Sequence, residues 1–284
     1  MAPQTSVVVG YDGTDESDHA LRWAVEEARM RQRDLVICHS WRWPYPISHV
    51  DLDLEETVKR MGQHVLERGV SRARDLTRSV RIRPKLMDGP AYAALLHESY
   101  DAEVLVVGSH EQEELAIGST ALQLPARAQQ PVMVVRRSDH HERVVVGVDG
   151  SAGGDAALAF GFQEAALRGW RLKAVYGCWE PGAVAGTDLA LFADRDELMR
   201  SCGALLERVV SPWRTKYPRV QADTSLVMEG PRTALLEAAK QADLVVVGDR
   251  GTGSVGPLLL GSTSTAMLQH APCTVAVAHA ITGG

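Results

Sequence analysis

The chain has 284 residues, of which 45% are hydrophobic and 23% are charged, which is the composition of an ordinary globular protein. Its formal net charge of −6 and pI near 5.9 argue against an extended nucleic-acid-binding face, which would be basic. No apolar run approaches the ~18 residues that a membrane-spanning helix requires, and residues 1–6 lack the basic and apolar regions of a signal peptide. We therefore expect a cytoplasmic protein with neither nucleic acid nor a membrane as its partner.

Short Val-rich runs bounded by Gly or Asp predict buried strands in the first half of the chain. In chain order these strands lie at residues 6–11, 35–40, 80–87, 104–107 and 132–135. Apolar residues at three- and four-residue steps predict helices at residues 15–33, 57–77 and 91–100. The first helix has Asp15 or Ser17 as its candidate N-cap. Strands that alternate with helices indicate parallel pairing through right-handed crossovers, and hence an α/β fold with a doubly wound sheet.

The second half of the chain repeats this plan. Residues 7–14 return as residues 144–151 with the same Val-Val-Val-Gly-x-Asp-Gly pattern. Further segments repeat in the same order: 88–90 with 229–231, 103–108 with 243–248, and 130–135 with 271–277. The predicted strands of this half are residues 143–148, 172–176, 220–227, 244–247 and 274–278. The repeat therefore predicts two domains of ordinary size, 1–138 and 139–284, joined by a polar stretch.

A glycine-rich loop follows the strand predicted at residues 244–247. Residues 248–261 include five glycines, which leave backbone N–H groups open to an anion. Ser262 and Thr263 then begin the last helix, whose N-terminus favours phosphate. The chain has no Gly-Lys dipeptide, which excludes a P-loop. Residues 251–256 match the glycine spacing of the dinucleotide-binding fingerprint, but they do not follow the strand directly, and the acidic residue that would bind the ribose is missing. The loop therefore predicts a polyphosphate site of another kind.

The spacing Gly248-x2-Gly251-x9-Gly261-Ser262, with Asp149 at the tip of the first strand of the same half, resembles the ATP-binding signature of the universal stress protein family. The resemblance covers essentially the whole chain as a tandem pair of such domains. It implies that each domain has a five-stranded parallel sheet in the order 3-2-1-4-5, with helices on both faces. It also implies that the fifth strands pair across the halves as an intramolecular pseudo-dimer, and it is compatible with further homodimerisation.

The resemblance also implies a role for each matching residue. It places Asp149 at the adenine edge of ATP, bound as its magnesium complex, and the backbone at Gly177 beside the adenine and ribose. The residues that it places around the phosphates are Gly248, Gly251, Gly261, Ser262 and Thr263. The protein partner of the chain does not follow from these residues.

The first half departs from this signature. Asp12 and Gly108 match it, but Glu111 stands at the second glycine position, and Gly118 with Ser119 arrives three residues early. Glutamates at positions 111, 113 and 114 place negative charge where phosphate would bind, and each like charge costs about 1 kcal/mol. We therefore expect the first domain to bind ATP poorly or not at all.

Several structural and functional alternatives stay open from the sequence. Asp12 and Asp149 are also typical turn or N-cap residues in Asp-Gly-Thr and Asp-Gly-Ser. The ten histidines and four cysteines show no metal-ligand spacing, so we expect no metal site and buried, reduced thiols. The only nearby candidates for a base in phosphoryl transfer are Asp249 and the hydroxyls of residues 262–264. The leading hypothesis is an ATP-binding regulatory protein; the alternatives are a nucleotide-independent interaction protein and a slow ATPase or autophosphorylating protein that uses Ser262 or Thr263.

Overall fold

A computed structural model describes residues 6–42, 52–109, 120–178, 195–251 and 260–280. The chain divides into two compact units, residues 1–136 and 137–284. Within the described residues each unit has five strands and four helices, which alternate along the chain. The prediction of an α/β fold with two tandem doubly wound domains is confirmed.

The first unit has a parallel sheet in the order β3-β2-β1-β4-β5, as the resemblance implied. Its elements in chain order are β1 (Ser6–Gly10), α1 (Asp15–Arg31), β2 (Asp34–Trp41), α2 (Leu52–Leu76), β3 (Ile82–Asp88), α3 (Ala91–Glu98), β4 (Ala102–Gly108), α4 (Thr120–Arg127) and β5 (Val132–Val135). Every strand that the sequence predicted is present, with ends that differ by one or two residues. The sequence did not predict α4, which is short and contains Pro125.

The second unit repeats the same order as β8-β7-β6-β9-β10. Its elements are β6 (Arg143–Gly147), α5 (Ala152–Arg168), β7 (Arg171–Gly177), α6 (Arg195–Lys216), β8 (Ala222–Val227), α7 (Pro231–Ala239), β9 (Leu244–Gly248), α8 (Ser262–His270) and β10 (Thr274–Ala278). The pairing of the fifth strands across the two halves stays a prediction.

Valine-rich central strands form the core of each unit. Val8, Val145 and Val246 are fully buried, because helices pack on both faces of each sheet. β-branched side chains favour this extended, crowded environment. The periodicity of apolar residues therefore determines which segments become strands in both units.

The first helix of each unit begins at an equivalent cap. Thr14 is the N-cap of α1, with extended backbone and a hydroxyl that accepts a hydrogen bond from Ser17 N at 3.2 Å. Ser151 has the same role for α5 and accepts from Gly154 N at 3.0 Å. The prediction of Asp15 or Ser17 as N-cap of α1 is wrong, because both residues already lie within the helix.

A buried ion pair also repeats near the end of these two helices. Glu27 accepts from Arg31 Nε at 2.9 Å in α1, and Glu164 accepts from Arg168 Nε at 3.1 Å in α5. Both glutamate side chains are fully buried. A repeated buried pair four residues apart indicates a feature of the fold that both units share.

Candidate functional site

The carboxyl ends of β6 and β9 are the place where the second unit is expected to bind a ligand. These two strands are parallel neighbours, with Val146 paired to Val246, and the chain leaves them for opposite halves of the sheet. An open α/β sheet has its crevice at such a switch point. Most of the residues predicted to bind the nucleotide lie in the segments that leave these two strand ends.

Asp149 is held in a fixed turn immediately after β6. Its Oδ1 accepts from the backbone N of Ser151 at 2.9 Å and from the Ser151 hydroxyl at 2.6 Å. Gly150 has a φ of +78°, the left-handed conformation that favours glycine. The turn and cap alternative therefore describes a real structural role of Asp149, and that role fixes the direction of its carboxylate toward the glycine loop.

Gly251 lies directly against this carboxylate. A Cβ added at Gly251 would collide with Asp149 Oδ2, so no other residue fits there unless the backbone or the carboxylate moves. The two predicted site residues are therefore neighbours in space, although about a hundred residues separate them in the chain.

The two described ends of the glycine loop are also close to each other. Gly261 N donates to Asp249 O at 2.8 Å, and a Cβ at Gly261 would lie 3.7 Å from Gly251 N. Asp249 N donates to Ala278 O at 2.8 Å, which fixes the loop to the end of β10. The middle of the loop, with the glycines at 253 and 256, lies outside the described residues.

The N-terminus of α8 follows this junction. Gly261 is its N-cap and makes no side-chain cap, while Ser262 is exposed and Thr263 is partly exposed. The first N–H groups of a helix have no carbonyl partner within it. Ser264 differs from its neighbours because its hydroxyl donates to Gly248 O at 2.5 Å. Ser262 and Thr263 therefore have the hydroxyls that can reach a ligand, and Ser264 has a structural role.

Two predicted site glycines have a steric role that does not depend on a ligand. A Cβ at Gly248 would lie 2.5 Å from the Gly153 backbone, and a Cβ at Gly177 would lie 2.7 Å from Pro231 Cα. These glycines let α5 and α7 approach the strand ends. The sequence did not distinguish this packing role from the predicted contact with nucleotide, which stays a prediction.

Gly153 and Gly154 shape the site and were missed in the sequence. A Cβ at Gly153 would collide with Arg250 O, and a Cβ at Gly154 would lie 2.6 Å from Asp149 Oδ1. Glycine is unfavourable inside a helix, and two in the first turn of α5 are therefore a signal that another chain segment approaches. Here that segment is the glycine loop beside Asp149.

Arg250 supplies positive charge at the start of the loop. Its Nε lies 3.6 Å from Asp249 Oδ2, and its side chain is 42% exposed. The partly exposed guanidinium is placed where an anionic ligand at the loop could contact it.

The first unit has a cleft of about 340 Å³ at the corresponding edge of its sheet. Asp12 makes the same turn as Asp149, and its Oδ1 accepts from Thr14 N at 3.0 Å and from Thr14 Oγ1 at 2.6 Å. Gly108 is again a packing glycine, because a Cβ there would lie 2.7 Å from the Glu16 backbone. Other lining residues include His39, Ser40, Ser109 and Thr120. The predicted Gly118, Ser119 and the three glutamates lie outside the described residues.

Burial keeps two polar groups near these edges uncharged. Burial raises the pKa of the Cys38 thiol, which lines the first cleft, to about 12, and Glu98 adds to this effect. Burial and then Cys202 raise the pKa of Tyr176 to about 12, with a further contribution from Asp149. Cys38 is therefore a neutral thiol rather than an activated nucleophile.

The cysteines differ in their burial. All four lie within the described residues and are thiols, and Cys38, Cys202 and Cys273 are buried as expected. Cys178 is partly exposed, so the prediction of burial is wrong for this residue. It stands directly after the end of β7 rather than inside the sheet.

The described part of the chain has neither a metal-holding cluster of His, Cys, Asp and Glu nor a membrane-spanning helix. No three His, Cys, Asp or Glu side chains among those residues converge in a way that could hold a metal ion. None of the helices that the structure describes has the length and apolar character needed to cross a bilayer.

Comparisons with known proteins agree with this architecture. The model of the universal stress protein family matches residues 5–136 and 140–279. Universal stress protein Rv2005c of Mycobacterium tuberculosis is 32% identical over 298 residues, with 97% of each chain covered. A universal stress protein of Mycolicibacterium smegmatis is 30% identical over 290 residues, again with 97% of each chain covered.

Solved structures of low sequence identity share the fold. A universal stress protein from Archaeoglobus fulgidus has a TM-score of 0.70 at 16% identity, and the match covers 98% of this chain and 97% of that one. A putative universal stress protein from Pseudomonas aeruginosa has a TM-score of 0.63 at 13% identity, with 98% and 94% covered. With both halves matched by the family model, this chain belongs to the universal stress protein family.

Proposed function

We propose that this chain binds ATP in its second unit and uses the nucleotide as a regulatory or stabilising ligand. The observation that carries the proposal is the contact between Asp149 and Gly251 at the β6–β9 edge. It joins the two halves of the predicted signature, the acid after the first strand and the glycine loop after the fourth. A side chain at 251 would disrupt this arrangement.

The chemistry of the surrounding groups fits the parts of ATP. The Asp149 carboxylate can accept a hydrogen bond from the adenine amino group, since its Oδ1 is held by Ser151 and its orientation is fixed. The N-terminus of α8 with Ser262 and Thr263 offers N–H and O–H donors to phosphate. Arg250 adds a cation at the same loop. Magnesium would enter with the nucleotide phosphates, as it commonly does.

Binding rather than turnover is the function that these residues support. Phosphoryl transfer requires a group that positions the attacking nucleophile. Asp249, the carboxylate nearest the loop start, lies 3.6 Å from Arg250 Nε and is mostly buried, which suits an ion pair better than a base. A ligand that is held but not consumed shifts the protein toward the conformation that binds it.

Calorimetric titration of Mg-ATP into the intact chain and into Gly251→Glu tests the proposal. The variant introduces the first-unit residue, Glu111, at the equivalent position, next to the Asp149 carboxylate. We expect one site in the intact chain and at least about 100-fold weaker binding in the variant, equivalent to about 2.7 kcal/mol.

Two further variants make this test specific. Gly251→Ala retains the collision with Asp149 without the added charge, and it should also weaken binding. Gly203→Glu adds the same charge on α6, where a Cβ would meet only Leu226 Cδ2 at 3.8 Å, and it should bind ATP normally. Absence of binding to the intact chain, or unchanged binding in Gly251→Glu, would overturn the proposal.

A further inference from the structure

Four sulfur atoms come together near the carboxyl end of β7, and the proposed nucleotide function does not use them. Cys178 directly follows β7, and its Sγ lies 3.2 Å from Met228 Sδ and 3.9 Å from Met199 Sδ. Met228 directly follows β8, and Met199 lies on α6. Cys202 completes the group, which we call the sulfur cluster.

Cys202 lies on the same side of α6 as Met199. The two residues are three positions apart on α6 and therefore share a helix face. The Cys202 thiol is also close enough to Cys178 and Tyr176 to help raise the pKa of each. Burial and then Cys202 raise the pKa of the Cys178 thiol, so this thiol is neutral at pH 7.

Ordinary packing does not require sulfur at this place. Leu35 pairs with Val7 of β1, and Leu172 pairs with Val144 of β6, so Leu35 and Leu172 are equivalent positions. Counted from these positions, Trp41 of the first unit corresponds to Cys178. In the first unit a Cβ at Gly62 of α2 would lie 3.1 Å from Trp41 Cβ, so α2 packs against this residue. The same fold therefore accepts tryptophan at this position in one unit and cysteine in the other.

The exposure of the cluster also differs from that of a core. Cys178, Met199 and Met228 are each partly exposed, and Cys202 is 8% exposed. Methionine and cysteine in a core usually fill enclosed gaps. Here three of the four residues are partly exposed at the strand edge, and a metal ion needs such a path of entry.

We propose that the sulfur cluster binds one Cu(I) ion. Thiolate and thioether sulfurs are soft ligands, and together they select Cu(I) over harder divalent ions. With metal–sulfur bonds of about 2.3 Å, sulfurs around a tetrahedral ion lie about 3.8 Å apart. The Cys178–Met199 separation of 3.9 Å already has this value. The Cys178–Met228 pair must widen by about 0.6 Å, which the flexible thioether side chain allows.

Zinc and other divalent ions fit this set less well. Structural zinc sites use cysteine and histidine, and no group of three His, Cys, Asp or Glu side chains occurs among the residues that the structure describes. Coordination of Cu(I) replaces each S–H bond by a Cu–S bond and releases the two thiol protons to solvent. No electron is transferred, so the ion remains Cu(I).

Competition with the Cu(I) chelator bathocuproine disulfonate tests the site in the full chain, reduced and free of oxygen. We expect the chain to take one equivalent of Cu(I) from the chelator. Cys178→Ala and Cys202→Ala should each weaken binding at least about 100-fold, and the volume-conserving Met228→Leu about 10-fold. Cys273→Ala is the matched control, since this buried thiol lies elsewhere, and its affinity should equal that of the intact chain.

Two results would overturn the proposal. One is failure of the intact chain to compete for Cu(I), and the other is binding by Cys178→Ala as tight as by the intact chain. The Met228→Leu variant keeps both thiols and the side-chain volume, so it tests the site even where a cysteine variant unfolds. Neither result depends on nucleotide.

Discussion

The two units differ most clearly in the first turn of the helix that follows their first strand. The first unit has Glu16 and Ser17 there, and the second has Gly153 and Gly154. In the second unit the missing side chains make room for the carbonyl of Arg250 and the carboxylate of Asp149. The glycine loop can therefore lie against the turn after β6.

In the first unit, side-chain hydrogen bonds to the backbone stabilise the same helical turn. Ser17 Oγ accepts from Gly13 N at 3.0 Å and donates to Thr14 O at 2.9 Å. Its cleft remains open beside Asp12. Each glycine in a helix costs about 0.5–1 kcal/mol relative to alanine, so the second unit accepts a less stable helix start. A local cost of this kind is typical of a functional site.

The largest effect is expected when the second unit receives the side chain of the first. Gly153→Glu introduces the residue found at Glu16, and its Cβ would collide with the carbonyl of Arg250. The segment that leads to Gly251 must then move away from Asp149. We expect the Kd for Mg-ATP to rise at least about 100-fold, or about 2.7 kcal/mol, by calorimetry.

The protein should remain folded in this test. Overpacking of this kind costs about 1–3 kcal/mol, which far-UV circular dichroism and urea unfolding would quantify. Gly203→Glu again serves as the control of equal charge. If Gly153→Glu bound ATP as well as the intact chain, the difference between the two first turns would have no part in nucleotide binding.

The fold could be predicted from the sequence because the signal was strong and local. Val-rich runs such as residues 144–146 and 245–247 can be buried only as central strands, and the repeat supplied each assignment twice. The helix α4 was missed because it has eight residues and an internal Pro125, so its periodicity is too short to recognise. The cap of α1 was misplaced because Thr14, Asp15 and Ser17 are all favourable cap residues.

The residues of the site could be predicted where a sequence motif defines them. They could not be predicted where only the packing of helices and strands brings them together. The spacing of glycines after β9 indicated that Gly251 and Gly261 share a function, and their proximity agrees with this. The sequence could not show that Ser264 donates to the Gly248 carbonyl, because that contact depends on how α8 packs against β9. The sulfur cluster was invisible for the same reason, since Cys178 and Cys202 show no ligand spacing.

A pH-dependent contribution to stability is expected from Glu103 of the first unit, whose equivalent in the second unit is Asp243. Burial opposes ionisation of Glu103, but hydrogen bonds from Arg33 and then Arg31 lower its pKa. Asp243 instead accepts from the backbone N of Arg143 at 3.1 Å. Since the folded pKa of Glu103 is below that of the unfolded chain, about 4.3, its contribution is full above that value and is lost as pH falls through the folded pKa.

Glu103→Gln should therefore reduce the free energy of unfolding at pH 7 by about 2 kcal/mol and have little effect at a pH below the folded pKa. Urea unfolding at a series of pH values measures this. The exposed Glu26→Gln in α1 is the control and should change stability by less than about 0.5 kcal/mol. An equal loss at every pH would show that packing, rather than the ionised carboxylate, stabilises the first unit here.

The smallest effect is expected from the helix caps, and it separates what the two units share from what distinguishes them. Thr14 and Ser151 cap α1 and α5, and each hydroxyl donates to the preceding aspartate, Asp12 or Asp149, at 2.6 Å. Thr14→Ala and Ser151→Ala should each cost about 1 kcal/mol of stability by urea unfolding.

Their effect on nucleotide should differ between the units. Loss of the Ser151 hydroxyl removes one of the hydrogen bonds that orient the Asp149 carboxylate. Ser151→Ala should therefore weaken ATP binding by about 1 kcal/mol, or roughly fivefold, whereas Thr14→Ala should not change it. Ser151→Thr retains the hydroxyl and should bind normally. If both alanine variants left the affinity unchanged, Asp149 would serve only the turn that Asp12 also makes, and the nucleotide would have to be recognised by the glycine loop and α8 alone.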